Sequence, residues 1–244
     1  MRFLTYNVHS CIGSDGKVSP ERISNVIAEV NPDVACLQEL DLGRTRTAAC
    51  DQARTIADRL SMQFAFFPTM QAEAEQYGDA ILSKHPILVR KAATFPPVPR
   101  PVPNERRGAI WAHIVVRDVA WQVIGTHFGL GRGERRLQAN YLRKDWIGPA
   151  LSDGPVVLGG DFNSRSTSSV HQLLSGKVMD VHRLLRIRHS PTFATKLPFI
   201  CLDYIFVSSQ VTVSTVSVVR SDAARVSSDH FPLYADVNIA SSLP

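Results

Sequence analysis

Short runs of β-branched and aromatic residues, each closed by turn formers, recur along almost the whole chain. "RFLTY", "DVACLQ", "FAFF", "DAILS", "ILVRKAATF", "GAIWAHIVV", "AWQVIGT", "PVVLGG", "LDYIFV", "VTVSTVSVV" and "PLYADV" read as strands. They outnumber the helical patterns by more than two to one, which excludes a simple alternating parallel sheet. An amphipathic helix or a one-faced sheet must bury its apolar side against another layer. The pattern therefore predicts an α+β fold: two mixed sheets packed face to face, with helices laid over the outer faces.

The helical patterns are few and well marked. "SPERISNVIAEV" offers Ser19 as N-cap and Pro20 at the first helical position, with Ile23, Val26, Ile27 and Val30 on one face. "CDQARTIADRL" sets Ala53, Ile56, Ala57 and Leu60 at the same spacing. A third helix is expected from about Glu134 through Trp146, and a fourth from about Thr167 to Leu174. "IVVRDVAWQVI" reads as a tight hairpin. The proline-rich stretch 96–107 reads as a rigid loop, too short and too closely framed by strands to separate domains. With 244 residues, long enough to bury a real core, residues 1–244 are expected to form a single domain.

Composition narrows the class. Hydrophobic residues at 44% and charged residues at 20% suit a soluble enzyme better than a disordered or fibrous chain. Apolar runs are strand-sized, so no transmembrane segment is expected, and "MRFLTYNVHS" lacks the apolar stretch of a secretory signal. A cytoplasmic location is the resulting expectation. Cys11, Cys36, Cys50 and Cys201 show no paired spacing, so cysteine points to neither a zinc site nor a disulfide framework. Cys36 and Cys201, set in apolar runs, read as buried small hydrophobes. The net charge of +5 is mild for this length, but 100–107, 132–144 and 182–189 are locally basic. As solvated faces these stretches are ordinary; together they favour an anionic partner such as a phosphate ester. No feature indicates a protein partner.

The strand ends carry the functional signal. Asn7 follows "RFLTY", Gln38 and Glu39 follow "DVACL", and His127 follows "WQVIGT". Asp161 and Asn163 follow "VVLGG", Asp203 opens "DYIFV", and Asp229 and His230 precede "FPLYADV". One such residue at a strand tip is a turn former and no more. The repetition predicts a common site along one sheet edge.

In order and spacing, "TYNVHS", "LQELD", "YGDAILSKHPI", "GTHFG", "GGDFNS", "LDYIFVSS" and "SSDHFPL" resemble the motifs of the endonuclease/exonuclease/phosphatase superfamily. It includes pancreatic-type deoxyribonucleases, exonuclease-type abasic-site endonucleases, inositol polyphosphate phosphatases and neutral sphingomyelinases. The resemblance implies a four-layer α/β/β/α sandwich and a divalent-metal-dependent phosphoester hydrolase. A phosphodiester repels nucleophiles and its leaving oxygen gains charge; Mg²⁺ or Mn²⁺ on oxygen ligands offsets both. Glu39 is the anionic ligand so implied, with Asn7 beside it and Asp229 as a further metal or histidine-orienting group. His230 and Asp203 read as an imidazole–carboxylate pair, in which the carboxylate fixes the tautomer and raises basicity. Asp161 is expected near the attacking water, Asn163 and His127 at phosphate oxygens, and either Asp161 or His230 is the general base.

Tyr77 and Arg107 flank these motifs as substrate-contact candidates. Asp79 stands where the resembled motif carries Asn, which makes it a candidate as well. The Trp-Cys-Asp-Arg signature of the inositol phosphatases is absent, and loops between motifs leave little room for DNA-wedging insertions. Nucleic-acid cleavage is the first functional expectation. A lipid headgroup or small phosphate ester of phosphoinositide or glycerophosphodiester type is the alternative. A non-catalytic binding module ranks last, because the whole residue set is retained.

Overall fold

The computed structural model describes residues 1–98 and 105–240; half of the proline-rich stretch 96–107 lies outside these residues. In the first sheet run β1 (Arg2–Asn7), β2 (Val34–Leu42), β3 (Gln63–Ala72) and β4 (Glu75–Ser83). The second begins with β5 (Leu88–Thr94), β6 (Gly108–Val116), β7 (Val119–His127) and β8 (Val156–Asp161). It is completed by β9 (Met179–Asp180) and β10 (Asp203–Val207), while β11 (Val211–Val218) and β12 (Leu233–Ile239) return to the first. Each sheet has six strands, ordered β11-β12-β1-β2-β4-β3 and β5-β6-β7-β8-β10-β9.

Between the sheets lies an apolar core built from alternating strand positions such as Phe3, Cys36, Ile81, Ala112, Val123, Val157 and Ala235. Gly159 belongs to this contact: a Cβ there would sit 2.5 Å from the Phe3 ring, so only glycine lets β8 approach β1 so closely. Helices α1 (Pro20–Val30) and α2 (Gln52–Leu60) cover the outer face of the first sheet. Helix α3 (Arg132–Leu142), a single π-turn over Arg143–Ile147, and α4 (Gly148–Asp153) cover that of the second with α5 (Ser169–Ser175). Short helices α6 (Val181–Leu184) and α7 (Asp222–Ser227) complete a four-layer α/β/β/α sandwich.

Local chemistry explains the ends. The Ser19 hydroxyl accepts the Arg22 N–H at 3.2 Å and Pro20 opens α1, as the sequence predicts. The expected hairpin turns on Arg117 and Asp118 with φ of 50° and 62°, the left-handed pair that matches strand twist. The third helix departs from expectation, continuing through the π-turn into α4. Two-residue β9 and one-turn α6 are too short to leave a periodic signal.

One feature of the topology positions the site. β1 and β2 run parallel, as do β7 and β8, and their other sheet neighbours are antiparallel. Both parallel pairs deliver their carboxyl ends to one edge of the sandwich. In open α/β sheets, such carboxyl-end crevices are where ligands bind.

Candidate active site

Asn7, His127 and Asp161 are the last residues of β1, β7 and β8, and Asp203 is the first of antiparallel β10. Asp161 pairs with His127 on one side and Asp203 on the other. Across the sandwich, the Asn7 amide donates to Glu39 Oε1 at 3.0 Å and to Asp161 Oδ2 at 3.1 Å, tying the two sheets together. Its oxygen accepts the His9 N–H at 3.0 Å, so it is the nitrogen of Asn7 that faces the carboxylates.

Glu39 reaches the cleft through a β-bulge. The β2–β4 register slips between Leu37 and Leu40, so Gln38 and Glu39 together face Asp79. Glu39 takes φ +63°, uncommon for a residue with a side chain, and the bulge re-aims its carboxylate outward. Gln38 turns inward instead and bonds Thr5 and the Cys36 carbonyl. The Glu39 N–H points at Asp79 Oδ1, 3.4 Å away. Burial, opposed by Arg107, pushes the Asp79 carboxyl up to about 7. Asp79 thus supports the bulge beneath Glu39.

His230 is held between two carboxylates. Its Nδ1 lies 2.8 Å from Asp203 Oδ2 and its Nε2 lies 3.6 Å from Asp161 Oδ2. Burial lowers its proton affinity, but Asp203 and Asp161 outweigh burial and raise it above the ordinary imidazole value. Burial likewise raises Asp161, against the opposing charge of His230. The two share protons as one unit. Ser228 fixes the segment before β12: its hydroxyl donates to the Asn7 carbonyl at 2.8 Å and accepts the His230 N–H at 3.2 Å.

His127 is different. Arg107 Nη1 stands 3.2 Å from its Nδ1 and the Asn163 amide nitrogen 3.2 Å from its Nε2. A neutral ring has one N–H, and both guanidinium and an amide NH₂ only donate. Because the Asn163 NH₂ is committed to the Phe128 carbonyl and Asp161 Oδ2 lies 3.6 Å from Nε2, Nδ1 accepts from Arg107 and Nε2 carries the hydrogen on the carboxylate side. Burial, then Arg107 and His230, hold the ring well below the ordinary imidazole value, and hence neutral. Asn163, at φ +47°, donates its amide to the Phe128 carbonyl at 2.9 Å, and its backbone N–H bonds Asp161 Oδ1 at 2.8 Å. Arg107 also meets the Tyr77 hydroxyl at 3.3 Å and Glu105 at 2.7 Å.

These side chains surround a cleft of about 470 Å³. Glu39, Tyr77, Arg107, Asp161, Asn163, Asp229 and His230 line it; His127, Asp203, Asn7 and Asp79 stand directly behind as their partners. All the candidates converge on one edge. Sequence reasoning missed His9, Ser10 and Phe193, which also line the cleft; the Phe193 ring sits 4.9 Å from that of His230. Nothing in a pattern of strand tips reports such loop residues. A second cleft of about 430 Å³, lined by Arg132, Arg135 and Arg165, adjoins the first and shares Asn163 and Leu202 with it. Part of the basic 132–144 stretch is thereby a wall beside the site.

The donor set suits a hard divalent cation. Among cleft-lining charges, Glu105 is paired by Arg107 and Arg46 by Asp41, which leaves Glu39, Asp161 and Asp229 against His230 and, when protonated, His9. Such an acidic cleft would repel a phosphate unless a cation entered with it. Buried Asp203 Oδ1 has no hydrogen-bond partner. Donor atoms of Asp161, Asp203 and His230 lie within 4.8 Å of one another.

A sequence model described as the endonuclease/exonuclease/phosphatase family matches residues 4–230. The chain belongs to this family. Its members are divalent-metal-dependent phosphoester hydrolases, and the matched span holds every candidate residue above. No protein of curated function matches the sequence. Solved structures do share the fold. A functionally unknown conserved protein from Enterococcus faecalis V583 aligns with a TM-score of 0.79 at 21% identity, covering 98% of this chain and 100% of that one. Mannosyl-6-phosphatase from Bacteroides thetaiotaomicron gives 0.77 at 17% identity, covering 98% and 100%. D. rerio TDP2 complexed with a single-strand DNA product gives 0.70 at 21% identity, covering 98% of each chain. At these identities the likeness is one of fold. Among the described residues, no helix of this family member is long and apolar enough to cross a membrane.

Proposed function

We propose that the chain is a Mg²⁺- or Mn²⁺-dependent phosphodiesterase of nuclease type, cleaving by attack of water on phosphorus. The observation that carries this reading is His230 clasped between Asp203 and Asp161, with Asp161 bridged through Asn7 to Glu39. Glu39 and Asp229 would hold the cation, Asn7 joining them by turning its amide oxygen inward. The cation, when bound, supplies positive charge to the phosphoryl and leaving oxygens.

The chain's own groups do the rest. Asp203 holds the Nδ1 hydrogen of His230, which leaves Nε2 aimed at Asp161. The Asp161–His230 unit takes the proton of the attacking water; the proton belongs to the pair rather than to either member. Neutral His127 offers its Nε2–H to a phosphate oxygen, and Arg107 keeps it in that tautomer. Asn163 stands beside it as a second amide donor. Tyr77 positions Arg107.

The adjoining arginine-lined cleft supports a substrate with more than one phosphate, as in a nucleic-acid strand. A DNA product in TDP2 is consistent with that preference. An apolar rim supports the second reading, a lipid headgroup or small phosphate ester. Leu130, 72% exposed, lines the cleft, and Leu197 and Phe199, 76% and 66% exposed, follow Phe193 in its loop. The mannosyl-6-phosphatase neighbour is a precedent for small esters.

The deciding experiment incubates the protein with plasmid, single-stranded DNA, RNA, bis-p-nitrophenyl phosphate and phospholipids, each with Mg²⁺, Mn²⁺ or chelator. Metal-dependent cleavage of a polynucleotide is expected. Turnover of phospholipid or small ester with intact plasmid and RNA selects the alternative, and hydrolysis undiminished by chelator overturns both.

A further inference from the structure

Away from the cleft, three histidines surround a single buried aspartate. His171 on α5 and His189, in the loop after α6, each place Nε2 2.6 Å from the same oxygen, Asp180 Oδ2. His182 on α6 sets Nδ1 3.5 Å from the other oxygen, Oδ1. That nitrogen is buried and has no hydrogen-bond partner, and the His182 residue is 1% exposed. The sequence reading left 182–189 as a solvated basic face; its two terminal histidines instead turn inward.

Anchoring one carboxylate does not require three imidazoles. The His182 N–H of the backbone already binds Asp180 Oδ1 at 2.8 Å, and a serine or asparagine would serve the remaining lone pairs. Convergence of several aromatic nitrogens on one carboxylate is the donor set of a borderline transition metal. Imidazole selects zinc and its neighbours, whereas the oxygen donors of the cleft select magnesium or manganese.

We propose that His171, Asp180 and His189 form a Zn²⁺ site separate from the catalytic centre, with His182 as the nearest further nitrogen. The donor atoms of the first three lie within 4.8 Å of one another. Zn²⁺ with ligands at about 2.0–2.2 Å holds its donors some 3–4 Å apart, so the two short contacts to Asp180 open by about 1 Å. Each imidazole moves its hydrogen to Nδ1; in His171 that nitrogen already has the Ser175 hydroxyl at 3.4 Å, the outer partner that fixes a ligand's tautomer. His171 and Asp180 are sealed from solvent, with side-chain exposures of 2% and 0%, and His189, at 19%, is the way in.

The site would clamp α5, β9 and the segment after α6 behind β10. Tyr204, next to Asp203, packs its ring 5.2 Å from His171 and 5.5 Å from His189. The same segment leads on to Phe193 at the cleft. The metal's role is thus structural, with zinc raising stability rather than replacing the catalytic cation.

The test uses the full chain with the catalytic centre disabled by Glu39→Gln and His230→Ala. Zn²⁺ is titrated in competition with a chromophoric chelator, and Co²⁺ binding is followed by visible absorption. Expected are one tightly bound equivalent, a higher Tm with Zn²⁺, and the strong visible bands of four-coordinate Co²⁺. Adding His189→Gln should weaken zinc more than about 100-fold, beyond the cost of losing a mere outer partner. His189→Gln alone should keep Mg²⁺-dependent hydrolysis. Failure of the disabled chain to bind Zn²⁺, only the weak bands of six-coordinate Co²⁺, or unchanged affinity after His189→Gln overturns the proposal. The Co²⁺ spectrum needs no substitution at the site, so a misfolded His189 variant leaves the test intact.

Discussion

Histidine protonation divides the labour at the cleft, and single substitutions separate the parts. His230→Ala removes the imidazole that Asp203 orients and is expected to lower turnover by about 10²–10⁴-fold with the circular dichroism spectrum unchanged. Wild-type turnover in that variant, on the substrate the protein does hydrolyse, would falsify the mechanism. Glu39→Gln should abolish metal-dependent activity while the bulge survives, because the backbone conformation stays the same. Asp79→Asn replaces a buried carboxyl facing Glu39 and Asp161 with a neutral amide. In chelator near pH 8, its Tm should exceed that of the wild type; a lower Tm would mean that the carboxylate is required beneath the bulge. That Glu39 and Asp79 belong together was not legible from residue types. The sequence shows a carboxylate after an apolar run, but a bulge is a two-strand property and appears only once β4 pairs with β2.

At the scale of the element, β1 and β8 carry the greatest demand for precision, because each ends in a site residue and they touch across the sheets. Gly159→Ala would push a methyl group into the Phe3 ring, and overpacking of this kind costs about 1–3 kcal/mol. The urea midpoint should fall accordingly. β1 is also held at its other end, where Arg2 bonds Asp236 of β12 at 2.8 Å. The Arg2 hydrogen bonds, against some burial, keep the Asp236 carboxyl below its unfolded value of 3.8. A lowered acid stabilises the fold while ionised, so this contribution is present above about pH 4 and lost as pH falls through the folded value. The pair is partly exposed and worth at most about 1 kcal/mol. Asp236→Asn should therefore lower Tm at pH 6–7, and the difference should shrink as pH falls below about 4. Helix starts such as Ser19–Pro20 were legible because capping is local; the π-turn after α3 was not, since a single wider turn inside a helical run leaves no periodic signal of its own.

For the whole molecule, the two adjoining clefts determine what substrate can lie across the edge. If the substrate is a polynucleotide, its affinity must fall steeply with salt, and replacing Arg132 or Arg165 with Ala should reduce that slope by about one each. A small ester bound in the main cleft alone would show neither effect. Eleven of the twelve strands, the first two helices and the recurrence of Asn, Asp, Glu and His at strand tips were written in the sequence. Alternation and capping are set by neighbours a few residues apart, and the family motifs carry their own order. Only the tertiary structure decided which tips meet. Asn7 lies 154 positions from Asp161 and His230 lies 27 from Asp203, and it takes two parallel strand pairs and their antiparallel neighbours to bring these four to one edge. The same holds for His171, Asp180 and His189, which stand nine positions apart along the chain and become one cluster only when α5 and the segment after α6 close over β10. Contacts between distant segments depend on how layers stack, and no local pattern of residues encodes that.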